Sequence, residues 1–358
     1  MKKYFVHYII FCSYLLICCT NDNYEIEDKK VDEILINFIK ENKIPGLSLT
    51  VLNSEGQMRY SKGFGFADLE KKSKIDPSKS IFRIGSFSKT LTATALMKLY
   101  QNNQIEIDSS VSHYIENLPK DKKNITLKQI SGHLSGIRHY NKDDGMKINK
   151  NYKTNLDALE IFIRDSLLFK PGQKYSYSTH AWTLLSLAME NAYGDTFVNL
   201  INEEIFSPMQ LINTHAEQYD LSFENKVSFY EKNDTDSIIE SNPVNNSWKW
   251  AGGGYISTTE EMAKFTWNIL NSDFLNSDIL DLMLSPQVLK DGNKTSYGIG
   301  WAIREKNNKK FLGHTGGSVG GTTFVFSSES GYIVSLMANL SNASFGDLPF
   351  EIFRIFNN

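Results

Sequence analysis

Strand-like and helix-like segments are not interleaved along this chain: β-rich runs stand near both ends, and helical spacing fills the middle. Leu47 to Leu52 and Met58 to Phe64 flank Asn53-Ser54-Glu55-Gly56, whose turn chemistry predicts an antiparallel hairpin. Late in the chain, Tyr297 to Glu305, Lys310 to Leu312, Thr322 to Ser327 and Tyr332 to Asn339 are rich in β-branched and aromatic residues. Between these ends, Leu156 to Leu168 and Trp182 to Ala192 are the clearest helices. Val31, Ile34, Leu35, Phe38 and Ile39 predict another before the hairpin, ending near Lys43 ahead of Pro45 and Gly46. A sheet begun at one end and finished at the other predicts an α/β (α+β sandwich) fold. Its antiparallel sheet is flanked by helices, and a mainly helical lobe is inserted. The expected α/β lobe comes from 30–85 and 255–358 and the helical lobe from 86–254, with a ligand cleft at their junction.

The 358 residues carry a formal charge of −3 with mixed signs, which gives no basic footprint for nucleic acid. Met1-Lys2-Lys3 precedes a largely apolar run from Tyr4 to Cys18, shorter than the roughly 20 residues of a spanning helix. That pattern predicts an export signal over 1–18 and a polar tether over 19–29. Leu16-Ile17-Cys18-Cys19 resembles a bacterial lipoprotein cleavage site. Cys19 is then the lipidated residue, and the expected location is exported and membrane-attached through that lipid. All three cysteines, Cys12, Cys18 and Cys19, lie in this segment, so the domain of 30–345 is expected to hold neither a disulfide nor a cysteine metal site.

Ser86-Phe87-Ser88-Lys89 opens an apolar, helix-like run through Leu91, Ala93, Ala95, Leu96 and Leu99. Residues three apart on a helix are neighbours, so the Ser86 hydroxyl and the Lys89 amine can meet without a loop to position them. The lysine can accept the serine proton only if its pKa, about 10.4 in isolation, falls by about 3 units. Burial and a neighbouring positive charge act in that direction. At the start of the helix, free N–H groups and the positive end of the dipole favour developing negative charge.

Two further segments join this tetrad. Lys170-Pro171-Gly172-Gln173-Lys174-Tyr175-Ser176-Tyr177-Ser178-Thr179 is a turn-rich loop carrying a tyrosine. Gly313-His314-Thr315-Gly316-Gly317 is a glycine-rich stretch expected just before a strand. Together the three resemble the signature elements of serine β-lactamase-like and penicillin-binding enzymes. His133-Leu134-Ser135-Gly136-Ile137-Arg138-His139-Tyr140 and Asn246-Ser247-Trp248-Lys249-Trp250-Ala251-Gly252-Gly253-Gly254 extend the likeness to the mitochondrial serine β-lactamase-like proteins and their bacterial relatives. The resemblance implies that Ser86 is acylated, that Lys89 takes its proton, and that Tyr177 passes a proton to the leaving group. A phenol near a lysine is expected to serve if that charge lowers its pKa. The N–H groups of Ser86 and Gly317 are implied as the oxyanion hole, with His314, Thr315, Gly316 and Thr179 beside the substrate. The resemblance implies no metal and no organic cofactor.

Two departures stand out. Many such enzymes carry asparagine where Thr179 stands, and lysine where His314 stands. Histidine near its ordinary pKa of about 6.5 is mostly neutral at pH 7, which weakens capture of a carboxylate and removes a charge that helps depress Lys89. Other candidates have ordinary readings. Gly316, Ser318 and Gly320 match Gly-x-Ser-x-Gly, but the following Thr322 to Phe326 reads as a strand, not the helix a nucleophile elbow needs. Gly252-Gly253-Gly254 lacks the lysine of a phosphate loop and fits close packing before a helix capped by Ser257 or Thr258, with Glu260 or Glu261 completing the cap. His133 and His139 have no carboxylates at ligand spacing. The leading expectation is a serine hydrolase acting on a small-molecule or peptide amide or ester. The alternatives are a cell-wall D,D-peptidase or weak β-lactamase, and a catalytically silent binding or scaffold protein. The oligomeric state is left open.

Overall fold

A computed structural model describes residues 24–141, 144 and 150–357. The expected hairpin forms: Gly46–Leu52 pairs antiparallel with Met58–Asp68, Leu49 opposite Lys62. In its turn, the Asn53 side chain accepts the N–H groups of Glu55 and Gln57 at 3.1 and 2.8 Å. The chain ends do meet. Ile333–Ala338 pairs with the first strand, Leu49 opposite Leu336, in a seven-stranded sheet. Across it the strands run Ser73–Lys74, Met58–Asp68, Gly46–Leu52, Ile333–Ala338, Gly321–Ser328, Lys309–Ser318 and Ala302–Lys306.

Alternation along these strands separates two cores. Phe324 and Phe326 join Val31 and Leu35 of the helix over 24–42, and Ile352 and Phe353 of the Leu348–Phe356 helix. Val325 points to the other side, into the larger core with Met262 and Phe265 of the Thr259–Asn271 helix. Each fully buried aromatic or aliphatic side chain there contributes about 1.5–3 kcal/mol over an exposed one. That larger core continues through Leu91, Leu96 and Leu99 of the Ser88–Gln101 helix and Trp182, Leu184 and Leu185 of the His180–Tyr193 helix. The latter matches the expectation, and Gly194 at φ +86° ends it in a left-handed cap.

Four sequence expectations need correction. The helix of Leu156 to Leu168 stops at Leu159, where the backbone tightens into three-residue turns with Ile161 N on Ala158 O and Phe162 N on Leu159 O; beyond it the Ile161 and Asp165 carbonyls accept from Arg138 Nη2 and Lys122 Nζ. The strand of Tyr297 to Glu305 shrinks to Ala302–Lys306, since Gly300 sits at φ +73° just before it. The strand expected at Lys310 to Leu312 grows to Lys309–Ser318, so Gly313 to Gly317 lies within a strand, not before one. Thr258 does cap the Thr259–Asn271 helix through the Glu261 N–H, but the Glu261 carboxylate turns to Asn213 N and Thr214 Oγ1 and leaves the cap uncompleted.

Cys12, Cys18, Cys19 and the expected signal and tether lie outside the described residues, apart from the last positions of the tether. Among the described residues no helix is long and apolar enough to cross a membrane.

Candidate active site

The turn that carries Ser86 is built by close backbone approaches. Phe82–Arg83 pairs with Tyr255–Ser257, and Ile84 N donates to Tyr255 O at 3.1 Å. Gly85 follows at φ +49°, a conformation that favours glycine. A Cβ there would lie 2.7 Å from Gly317 O and 2.8 Å from Gly317 N, and one on Gly316 would lie 1.9 Å from Ile84 O. Only bare backbone lets the edge of the Lys309–Ser318 strand meet the Gly85–Phe87 turn this closely. Ser88 locks the arrangement: its hydroxyl donates to Gly85 O at 2.7 Å and accepts from Tyr255 N at 3.2 Å. On the outer side a Cβ at Gly317 would meet nothing within 4 Å, so that glycine borders open space.

Lys89 is wholly buried on the following helix turn. Its Nζ lies 3.3 Å from Ser86 Oγ, 3.2 Å from Thr179 Oγ1 and 2.5 Å from Gly252 O. It has no carboxylate partner among the described residues. Burial first, and the charge of Lys249 second, push its pKa well below the ordinary lysine value. A neutral amine has two hydrogens and one lone pair. With the Gly252 carbonyl and the Thr179 hydroxyl placed to accept those two hydrogens, the neutral form has its lone pair left for Ser86. Thr179 is 2 % exposed, and its hydroxyl serves the lysine from the start of the His180–Tyr193 helix without capping that helix.

Tyr177 completes the group. Its hydroxyl is near enough to Ser86 for that side chain to bear on its ionisation, and its ring covers Lys89 Nζ at 4.9 Å from the centroid. The His133 ring lies against it at 4.2 Å, and His139 meets its plane edge-on at 5.5 Å. Both histidines are fastened by backbone: Ser178 N donates to His133 Nδ1 and Thr179 N to His139 Nδ1, each at 3.1 Å. The sequence reading expected nearby charge to lower the Tyr177 pKa. Burial instead raises it far above the phenol value, so the group stays protonated at neutral pH.

His314 is 4 % exposed and fully engaged. Its Nδ1 donates to Thr315 O at 2.5 Å, which leaves Nε2 to accept from the Tyr297 hydroxyl at 2.9 Å. Burial, then Lys89, pushes its pKa down to about 3, so position 314 carries no charge. The cation near Lys89 is Lys249, with a pKa pushed to about 8 by burial and then by Arg83, and still mainly charged at neutral pH. Sequence reasoning missed Lys249, Tyr297 and the Gly252 carbonyl. Trp248-Lys249-Trp250 was the one signal for them, a cation set between two indoles. Gly252 is explained by the packing: a Cβ there would lie 2.7 Å from Thr179 Cγ2.

The structure thus gathers Ser86, Lys89, Tyr177, Thr179, His314 and Gly317, with Thr315 and Gly316 in the strand between the last two. Ser318 turns into the hairpin strand Gly321–Ser328 and no helix follows it, against a nucleophile elbow. Among the described residues no three metal-ligating side chains converge. A groove of about 1090 Å³ beside Tyr114, Leu159 and Glu190 touches none of the candidate residues.

The Beta-lactamase family model matches residues 31–353. The mitochondrial serine beta-lactamase-like protein LACTB of Homo sapiens is 26% identical over 373 residues, covering 78% of this chain and 68% of that protein. Protein flp of Staphylococcus aureus is 24% identical and covers 90% of this chain and 64% of its own length. Among solved structures, D-amino acid amidase from Ochrobactrum anthropi SV3 in complex with L-phenylalanine amide superposes with a TM-score of 0.82 at 20% identity, over 93% of this chain and 99% of the other. The octameric penicillin-binding protein homologue from Pyrococcus abyssi gives 0.77 at 22% identity, over 88% and 74%. At these identities the solved structures speak for the fold. With the family model spanning nearly all of the described residues, the chain belongs to the Beta-lactamase family.

Proposed function

We propose that the protein is a serine hydrolase that forms an acyl-enzyme on Ser86 while cleaving an amide or ester, with peptide amides preferred. The observation that carries this reading is the buried Lys89 amine, 3.3 Å from Ser86 Oγ and, among the described residues, without an acid to keep it charged. In the first step Ser86 Oγ bonds to the carbonyl carbon and its proton passes to Lys89 Nζ. The carbonyl oxygen gathers negative charge between the N–H groups of Ser86 and Gly317, a stabilisation worth roughly 3–4 kcal/mol per donor in comparable sites. Tyr177 gives its proton to the departing nitrogen or oxygen and regains one from Lys89. Water then repeats the sequence on the acyl-enzyme and frees Ser86. The printed names of the relatives, an amidase and penicillin-binding proteins among them, support acyl transfer.

The test is labelling with a fluorophosphonate, read by mass spectrometry of the intact protein and its peptides. The expected result is one adduct on Ser86 in the wild type and none in Ser86→Ala; an unlabelled but folded wild type overturns the reading and favours a silent binding protein. A cell-wall D,D-peptidase is separated by digesting muropeptides, since that activity alone releases terminal D-alanine.

A further inference from the structure

A second polar centre lies on the far side of Gly317, and its cation is used by no step above. A cavity of about 460 Å³ opens beside Gly317, walled by Tyr140, Asn245, Trp248, Lys249 and Ser318. Lys249 is nine-tenths buried, and its Nζ is held over the rings of Trp248 at 5.2 Å and Tyr140 at 5.8 Å. No carboxylate lies within ion-pair distance of it among the described residues. Glu217, the acid whose charge reaches it, is already taken by Arg83 Nε at 2.8 Å and Asn246 Nδ2 at 2.6 Å. A buried cation without a counter-ion is costly, and here the cost is kept at the wall of an open cavity. Asn245 Nδ2 and Ser318 Oγ, buried and with no hydrogen-bond partner among the described residues, border the same space. The rim adds one charge of each sign, Glu231 and Lys232, with Lys232 paired to Asp236.

The position relative to Ser86 decides which half of a substrate meets this cation. A Cβ built on Gly253 would lie 3.7 Å from Gly85 C and 3.9 Å from Lys249 Cδ, so only Gly253 stands between the lysine stem and the turn that carries Ser86. Tyr177, the proposed proton donor to the leaving group, lies with His314 at 6.2 Å between rings, and neither borders the cavity. The cavity takes the strand from Gly317 onward through Ser318 and Val319, whereas His314 stands before Gly317. The leaving half of a substrate therefore lies toward His314 and the acyl half toward Lys249.

We propose that Lys249 anchors a carboxylate on the acyl half of the substrate, so that the preferred substrates are amides whose acyl portion is anionic. The assignment of halves rests on the acyl-enzyme reading; the anion site itself does not. Two probes with the same leaving group separate the two: succinyl-alanyl-4-nitroanilide, anionic on its acyl side, and acetyl-alanyl-4-nitroanilide, neutral there. Binding is measured by calorimetry on Ser86→Ala, which prevents turnover. The succinyl probe is expected to bind about tenfold tighter or better, the range of a hydrogen bond to a charged group. That ratio is expected to fall to about one in Ser86→Ala with Lys249→Met and to persist with Lys249→Arg. Equal affinities, no binding of either probe, or a preference that survives Lys249→Met overturns the proposal. Failure of the wild type to label on Ser86 overturns the acyl-enzyme reading instead and leaves a measured preference for the succinyl probe standing.

Discussion

Replacing Gly316 by alanine tests whether the glycine edge exists to hold the oxyanion donors in place. The new Cβ would lie 1.9 Å from Ile84 O, and no positive φ adds strain of its own. Ordinary contact demands that the strand and the Ser86 turn separate by roughly 1 Å or more, and misplacement on that scale costs about 10²-fold in rate. That loss equals about 2.7 kcal/mol of transition-state stabilisation. Overpacking also removes about 1–3 kcal/mol of fold stability, so a control with the same backbone collision elsewhere is required. Gly63 supplies it: a Cβ there would lie 2.2 Å from Ile75 O, on the far side of the sheet from Ser86. The assay is the second-order rate of fluorophosphonate labelling of Ser86, measured below the thermal midpoint of each variant. Gly316→Ala is expected to label about 10²-fold more slowly and Gly63→Ala at the wild-type rate. A Gly316→Ala rate within about threefold of wild type, or an equal loss in Gly63→Ala, refutes the reasoning.

The labelling rate is also expected to rise with pH through one ionisation well below the free lysine value of about 10.4, because the amine must be neutral to accept a proton. The charged neighbour Lys249, itself titrating at about 8, belongs to that profile, while His133, His139 and His314 are held neutral by burial. A midpoint at the free lysine value contradicts the reading. Nitrocefin turnover is expected to stay below about ten per second, since position 314 offers no cation to a leaving-half carboxylate, and a faster rate rules this out. Glu217→Ala is expected to cost about 3–5 kcal/mol in urea unfolding, because it strands Arg83, which is 6 % exposed and also holds Val319 O at 2.7 Å beside the cavity; a loss under about 1 kcal/mol contradicts it.

What the chain spells out locally was legible. The Ser86 and Lys89 pair needs only helical spacing, and the hairpin needs only Asn53 to Gly56 between two apolar runs. The sheet joining both chain ends followed from where β-rich segments stand. What depends on distant packing was not. The Gly252 carbonyl that receives Lys89 is 163 positions away and, being backbone, has no residue signature. Lys249 reads as a surface charge until burial is known. The Tyr177 pKa went the opposite way from expectation, because a charge nearby is visible in sequence and desolvation is not.

Histidine at 314 separates two tasks that one charge can perform together. A lysine there would both depress a neighbouring amine and grip a carboxylate. In this chain the larger cause of the Lys89 shift is burial, which does not depend on residue 314, and the second is Lys249 on another segment. The proposed base therefore keeps its poise although position 314 carries no cation. Burial is the first cause that keeps His314 neutral, so position 314 sets no further charge beside Lys89. Catalytic competence and carboxylate capture at 314 thus become independent, and loss of the second is no argument for loss of the first.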